Sequence, residues 1–424
     1  MFSELGLSPA VSAPLARLGY EIPTPVQTQA IPLVLSGVDL LGRAQTGTGK
    51  TAAFGLPMID RLSLRRAAAG RVKPRGLVLV PTRELAAQVH RALATYAASS
   101  PVRVTAIFGG VAMGPQTQAL RRGTDIIVAT PGRLIDHLER RTVDLSAIEV
   151  LTLDEADRML DMGFLPALRR VVAALTRDRQ TLLFSATLSD AVVRLSTEFT
   201  QNAARIDVSA GHVVAPTVKH QVQHVALDRK RDVLAEILTQ DGEPQALVFC
   251  RTKRGANRVG EDLEHRGVRA GVIHGNKSQS ARNRALHDFK AGRVRVLVAT
   301  DLAARGLDIV QLPLVVNFDL PLVADDYVHR VGRTGRAGHH GRAVSLVSAS
   351  DAGLLRDIQR IVAAPIERLS TPGGESAEAS PAGPRPPRSR RPTDRRGFSP
   401  AGRRGEHRQG PWQKRTGARA NRQA

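Results

Sequence analysis

The sequence predicts two tandem α/β domains, each built on a parallel sheet with helices on both faces, followed by a basic C-terminal tail that cannot form a core. Three observations lead there. Apolar bursts alternate with segments of helical period, the alternation restarts beyond residue 217, and half of the net charge lies in the last tenth of the chain. The expected spans are 1–208 for the first domain, 209–217 for a linker, 218–370 for the second domain and 371–424 for a disordered tail.

Taken in order, "GLVLVP" precedes "TRELAAQVHRALATY", in which Leu85, Val89, Ala92, Leu93 and Tyr96 share one helical face. "DIIVAT" precedes "PGRLIDHLERR", "VLTLDEAD" precedes "FLPALRRVVAAL", and "TLLFSAT" precedes "LSDAVVRLSTEF". Strand, helix and strand in series mean a parallel sheet covered on both sides. "QALVFCRT", "RAGVIHG", "VRVLVATD", "LPLVVNFD" and "GRAVSLVS" repeat the pattern in the second half. Ligands of such sheets sit beyond the carboxyl ends of the strands, which directs attention to the residues after each burst.

Composition bounds the rest. A chain of 424 residues with 42% hydrophobic residues is too long for one ordinary core and too apolar for disorder throughout. No apolar run reaches the length of a membrane span, and "MFSELGLSPA" lacks the pattern of a signal peptide, so a cytoplasmic protein without membrane partners is expected. The single cysteine, Cys250, cannot form an internal disulfide and ends the apolar run "ALVFC", where it reads as a buried small hydrophobe. From Pro381 to Ala424 there are thirteen Lys or Arg and two acidic residues, giving 13 − 2 = +11 of the net +22. With Phe398 and Trp412 among its Arg, Gly and Pro, this tail reads as a flexible nucleic-acid arm, the alternative being a solubilising segment. The charges of Arg65 to Gly76 read as a solvated loop.

Two stretches carry chemistry. "AQTGTGKT", residues 44–51, is a glycine-rich turn opening a helix: its N–H groups can cradle phosphates, Lys50 can reach the β and γ oxygens and Thr51 can hold Mg²⁺. Ala44 replaces the first glycine of the usual pattern. "VLTLDEADRML" runs from a buried strand into Asp154, Glu155 and Asp157. Alone, these acids also suit a helix start. Together with Lys50, Asp154 suits the metal shell and Glu155 the orientation or deprotonation of water.

The second stretch resembles the signature of the DEAD-box RNA helicases, and the resemblance extends over roughly residues 2 to 350. "PTPVQ" (23–27), "PTREL" (81–85), Gly109-Gly110, "TPGR" (130–133) and "SAT" (185–187) occur in family order. The second half adds "VFCRT" (248–252), "HGNKSQSAR" (274–282), "ATDLAARGLD" (299–308) and "YVHRVGRTGRAG" (327–338). The wording is similar to the bacterial RhlE subgroup. Such membership implies two RecA-like domains, ATP and Mg²⁺ as cofactors, and ATP hydrolysis stimulated by RNA.

The resemblance also implies residue roles. Gln27 corresponds to the residue that reads adenine, with Phe2, Tyr20 and Thr24 helping to stack or position the base; Tyr20 stands where the family often has Phe. The nucleotide site comprises these residues with Ala44, Gln45, Thr46, Gly47, Thr48, Gly49, Lys50 and Thr51. Asp308 is expected on the ribose, and Arg333 and Arg336 as arginine fingers. Lys50, Asp154 and Glu155 complete the catalytic set, and Thr51 and Asp154 the metal ligands. Asp157, Ser185, Thr187 and His329 would couple the nucleotide cleft to RNA.

RNA would cross both domains, on Thr82, Arg83, Gly109, Gly110, Thr130 and Arg133 in one half, and Thr252, Gln279, Arg282, Thr300 and Gly306 in the other. Contacts to phosphate and sugar would make binding largely independent of base sequence. Ser280 stands where the family often has glycine. The expected activity is ATP-driven separation of short RNA duplexes and remodelling of RNA or RNPs, in ribosome assembly or RNA turnover, with ribosomal precursors or the RNA-decay machinery as partners. An ATP-gated RNA clamp or RNP scaffold is the alternative, and a DNA helicase a third reading.

Overall fold

The computed structural model describes residues 1–45, 47–64, 73–208, 217–239, 245–304, 309, 311–335, 340–362 and 364–369. They lie within one compact unit, Met1–Pro372. The tail, most of the linker and the basic loop at 65–72 lie outside the described residues, as do Thr46, Gly306, Asp308 and Arg336.

The first sheet contains β1 (Leu40–Arg43), β2 (Gly76–Leu79), β3 (Val104–Ile107), β4 (Ile126–Ala129), β5 (Val150–Leu153), β6 (Gln180–Ser185) and β7 (Ala204–Asp207). Its order is β3-β4-β2-β5-β6-β1-β7, with every pairing parallel. The second contains β8 (Val218–His224), β9 (Ala246–Phe249), β10 (Ala270–Ile273), β11 (Val296–Ala299), β12 (Leu314–Asn317), β13 (Gly341–Val347) and β14 (Ile366–Arg368). Its order, β10-β11-β9-β12-β13-β8-β14, repeats the first with each index raised by seven, again all parallel. The chain therefore holds two copies of one doubly wound, RecA-like topology.

Strand alternation builds a separate core on each face of each sheet. Val78, Val80, Val128 and Val150 face one layer with Phe54, Met58, Val89 and Leu93 from two helices. Leu77, Leu79, Ile127, Leu151 and Leu153 face the other, with Leu134, Leu168 and Val192. Because both faces are covered, these strands read as continuous apolar runs, which is why they stand out in the sequence. The second sheet follows suit, with Val248, Val298 and Val316 packed on Val259 and Leu263, and Leu247, Leu297 and Val315 on the opposite layer with Phe289. Cys250 is fully buried in this core, and burial pushes its thiol up, so it behaves as the expected small hydrophobe.

The helix Arg83–Tyr96 shows how local chemistry sets an element. Thr82 caps it, its hydroxyl accepting from the Leu85 N–H at 3.2 Å, and Glu84 complements the first turn. Leu85, Val89, Leu93 and Tyr96 are buried and Ala92 is half-buried, which realises the anticipated apolar face. Burial of Val89 or Leu93 contributes about 1.5–3 kcal/mol each.

The strand β1, between β6 and β7, has no apolar burst: its sequence is "LLGR". A Cβ at Gly42 would come within 2.9 Å of the Phe184 ring, so this strand gives up a side chain to let β6 pack.

Candidate nucleotide and RNA site

The described P-loop candidates gather beyond the carboxyl end of β1 in the first sheet. After β1, Ala44 is buried, Gly47 and Gly49 take φ of 86° and 93°, and Lys50 opens the helix Lys50–Leu64 with Thr51 in its first turn. Positive φ at those two positions explains the glycines, since L side chains resist it. Thr48 donates to the Gln45 carbonyl at 2.7 Å, and Thr24 donates to the Thr48 carbonyl at 2.8 Å. Gln27, almost wholly buried, donates from Nε2 to the Gly49 carbonyl at 3.2 Å and accepts at Oε1 from the Thr24 N–H at 2.9 Å. Each of these bonds uses one of the two positions on its atom, leaving a donor and an acceptor position on the amide. Phe2 meets Tyr20 edge-on, with ring centroids 6.2 Å apart.

Asp154 and Glu155 follow β5, beside the P-loop helix. Lys50 Nζ donates to the Ala44 carbonyl at 3.0 Å and lies 3.8 Å from Asp154 Oδ1. Asp154 is buried, and burial raises its carboxyl to about 6 against the pull of Lys50. Glu155 is driven up by burial, but Arg158, Lys50 and Arg333 more than offset this and hold it below the usual range. Asp154 Oδ1 and Glu155 Oε1 are both buried without a hydrogen-bond partner. Such oxygens are costly unless something satisfies them, and a divalent cation with its water shell would do so. The donor set of Thr51 and Asp154 thus fits Mg²⁺.

Asp157 ties the acidic stretch to the next strand. Its Oδ2 accepts from the Ala186 N–H at 3.0 Å, the Thr187 N–H at 3.1 Å and the Thr187 hydroxyl at 3.3 Å. Ser185 is fully buried at the end of β6, its hydroxyl without a hydrogen-bond partner. Two of the four coupling candidates therefore meet directly.

The second lobe faces this cluster. Arg158, Phe249, Asp301, Ala304, Asp326, His329, Arg330 and Arg333 line one small cavity. Arg330 organises its second-lobe side: it donates to both oxygens of Asp301 at 2.6 and 2.7 Å, to Asn317 at 3.0 Å and to the Asp319 carbonyl at 2.6 Å, above the Phe249 ring. That fixes the helix Ala324–Val331, and with it His329 and the start of the Arg333 turn. Arg333 itself is 3% exposed.

Several RNA-groove candidates are engaged in local structural contacts. Thr82 and Thr252 cap helices, Thr252 accepting from the Gly255 N–H at 2.9 Å. Thr130 stands at the N-terminus of the helix Pro131–Glu139, and Arg133 from that helix donates twice to the Val111 carbonyl at 3.1 Å. Gly109 and Gly110 lie against the Arg83 guanidinium, where a Cβ on Gly110 would overlap it. Thr300 is buried after β11. Ser280 sits in the first turn of the helix Gln279–Lys290, 3.0 Å from the Ser278 hydroxyl.

Arg83, Gln279 and Arg282 come together, around a residue absent from the sequence reading. Glu84 pairs with Arg282 at 2.8 Å and accepts from Gln279 Nε2 at 2.9 Å, while Arg83 donates to Gln279 Oε1 at 3.4 Å. Glu84 stands inside the quoted "PTREL", but nothing in the sequence says that its partner is in the other lobe. Arg158 was also missed, and the signal was present: Glu155 and Arg158 have the i, i+3 spacing of a helical ion pair.

Comparisons with known proteins agree over both lobes. Residues 24–195 match the DEAD/DEAH box helicase family and residues 229–338 the helicase conserved C-terminal domain. The DEAD-box ATP-dependent RNA helicase CshA of Geobacillus kaustophilus is 42% identical over 371 residues, covering 88% of this chain and 78% of the relative. Saccharomyces cerevisiae Dbp5 bound to RNA and ADP BeF3 superposes with a TM-score of 0.78 at 32% identity, covering 87% of this chain and 95% of that one. A Dbp5 variant bound to Nup159, Gle1, IP6 and ADP gives a TM-score of 0.60 at 30% identity, covering 86% and 95%. With both halves matched and a relative 42% identical over most of both chains, the chain belongs to the DEAD-box ATP-dependent RNA helicases of superfamily 2.

Proposed function

We propose that this helicase uses ATP to close its two lobes on RNA, that closure bends one strand away from its complement, and that hydrolysis reopens the cleft. The observation that carries the reading is the setting of Glu155: its ion-pair partner Arg158 lines one small cavity with Arg333 of the other lobe. A site assembled from both lobes couples chemistry to closure. The better superposition on Dbp5 holding RNA and ADP BeF3 than on Dbp5 holding Gle1, Nup159 and ADP supports the same arrangement.

Each side chain then has a task. Gln27 and Thr24 read adenine while bracing the P-loop, and Phe2 and Tyr20 flank the base. Lys50 and the N–H groups of 47–51 take the phosphates. When bound, Mg²⁺ would neutralise phosphate charge, with Thr51 and Asp154 as its protein-side oxygens. Glu155 orients the attacking water, its free Oε1 being the acceptor. Arg333 stabilises charge on the transferring phosphoryl group. Asp157 transmits phosphate occupancy to Thr187 and the lobe interface. Arg336 and Asp308 take the finger and ribose roles on the resemblance alone.

RNA runs across Thr82, Arg83, Gly109, Gly110, Thr130 and Arg133 to Thr252, Thr300 and Gly306. Gln279 and Arg282 join that surface through their hold on Glu84, so their first role is to lock the lobes together. At about 1.4 kcal/mol per duplex step, taking DNA as a guide, the binding energy of closure opens a few base pairs without processive travel. We place this activity in the cytoplasm, in ribosome assembly or RNA turnover; among the described residues no helix is long and apolar enough to cross a membrane.

Strand displacement on short RNA duplexes tests the reading. ATP should support displacement and a nonhydrolysable analogue should support stable RNA binding. Tight binding without displacement would leave an ATP-gated clamp, and equal stimulation of ATPase by DNA would remove the RNA assignment.

A further inference from the structure

Tyr20 carries a hydroxyl that a phenylalanine at this position would lack, and the structure gives that hydroxyl a partner. It lies 2.7 Å from the hydroxyl of Tyr96, and the two rings meet edge-on with centroids 5.8 Å apart. Tyr96 ends the helix Arg83–Tyr96 and is 7% exposed. Burial raises its proton affinity, so it stays a hydroxyl at any working pH. Its ring also approaches the P-loop helix: a Cβ at Gly55 would stand 3.7 Å from Tyr96 Cδ2. Gly55 lies five residues beyond Lys50 on that helix. Tyr96 thus bridges the P-loop helix and the half-buried Tyr20, whose other neighbour is Phe2.

We infer that Tyr96 is a positioning residue for the nucleotide base: through its hydroxyl it holds the Tyr20 ring at the angle that receives adenine, and it references that ring to the P-loop helix. The inference rests on the reading of Tyr20 as a base-contacting residue, and extends it to a side chain that the sequence placed only on the apolar face of a helix. Edge-on contacts with the Phe2 and Tyr96 rings are not directional at the hydroxyl; a hydrogen bond at the ring tip, the point farthest from the backbone, restrains the tilt of the ring further. A net hydrogen-bond contribution near the usual value corresponds to about fivefold in affinity.

The full chain is assayed for ATP KM and kcat at saturating RNA in wild type, Tyr20→Ala, Tyr20→Phe, Tyr96→Phe and the Tyr20→Phe/Tyr96→Phe pair. Inhibition by inorganic tripolyphosphate, which has no base, is measured in each. Tyr20→Phe and Tyr96→Phe should each raise KM about fivefold with kcat unchanged. The double variant should show the same fivefold rise and not the product, because both singles break one bond. Tripolyphosphate inhibition should not move. Tyr20→Ala should raise KM further.

A wild-type KM in Tyr96→Phe alongside a raised KM in Tyr20→Ala would overturn the inference and leave the base reading standing. Weakened tripolyphosphate inhibition in Tyr96→Phe would also overturn it, since Tyr96 would then be acting on the P-loop itself. An unchanged KM in Tyr20→Ala would remove the base reading, and the inference with it.

Discussion

Arg158 Nη1 lies 2.9 Å from Glu155 Oε2, and the two side chains are only 1% and 4% exposed. Glu155 sits at φ 58° and ψ 52°, a left-handed conformation that costs a non-glycine residue about 1–3 kcal/mol. The buried pair offsets that strain by fixing the carboxylate at one oxygen and leaving the other free. Removing one partner of such a pair costs about 3–5 kcal/mol, because a buried charge is left uncompensated. Arg158→Met should therefore lower stability to denaturant by about that amount, with Arg158→Lys intermediate. A stability equal to wild type in Arg158→Met would show that the pair does not support the fold.

Glu84 makes the second prediction. With Glu84 and Arg282 both nearly buried, Glu84→Gln leaves the guanidinium without its counter-charge. The closed form should lose about 1.5–3 kcal/mol. RNA affinity with a nonhydrolysable ATP analogue should fall by roughly tenfold or more, while ATP affinity without RNA stays unchanged. Fluorescence transfer between dyes on the two lobes reads the same loss directly.

The elements with full burial on both faces were legible because they are wholly or mostly apolar, as in "IIVA" and "VLVA". β1 escaped because Gly42 and Arg43 end its apolar run after two residues, a demand set by Phe184 on a strand far along the chain. The motifs were recognisable for the same local reason: a P-loop and an acidic strand end each bring their candidate ligand groups within a few residues. Partners that lie far apart in sequence were not. Glu84 and Arg282 meet across the two lobes, and Tyr20 and Tyr96 meet across segments 76 residues apart; no local pattern encodes either contact.

A pH prediction follows from His220. Its Nδ1 is 2.9 Å from the Tyr327 hydroxyl, its Nε2 is buried without a partner, and burial lowers its proton affinity to about 4. The unfolded imidazole titrates near ~6.5. Between these values the unfolded chain binds more protons, so stability is full above about 6.5 and is lost as pH falls through about 4. His220→Gln should flatten that part of the stability profile relative to wild type. Parallel profiles for the two proteins would show that this histidine is not responsible.

The basic residues from 381 to 424 provide a fourth test. All described nucleotide-site residues precede them, and thirteen Lys or Arg lie within them. Deleting 381–424 should leave ATP turnover at saturating RNA nearly unchanged and weaken RNA affinity. If about six of those cations meet phosphates, the slope of log K against log salt should become shallower by about 4. Equal slopes with and without the segment would favour a solubilising role.

Single-turnover ATP hydrolysis by Glu155→Gln in the presence of RNA tests the account most directly. Glu155 is assigned the attacking water, while Lys50 and Asp154 keep the nucleotide and its metal. Hydrolysis should collapse, ATP and RNA should still bind, and the closed complex should persist long after wild type has released its strand. Hydrolysis at the wild-type rate would contradict the account, because the carboxylate held by Arg158 would then have no part in the chemistry.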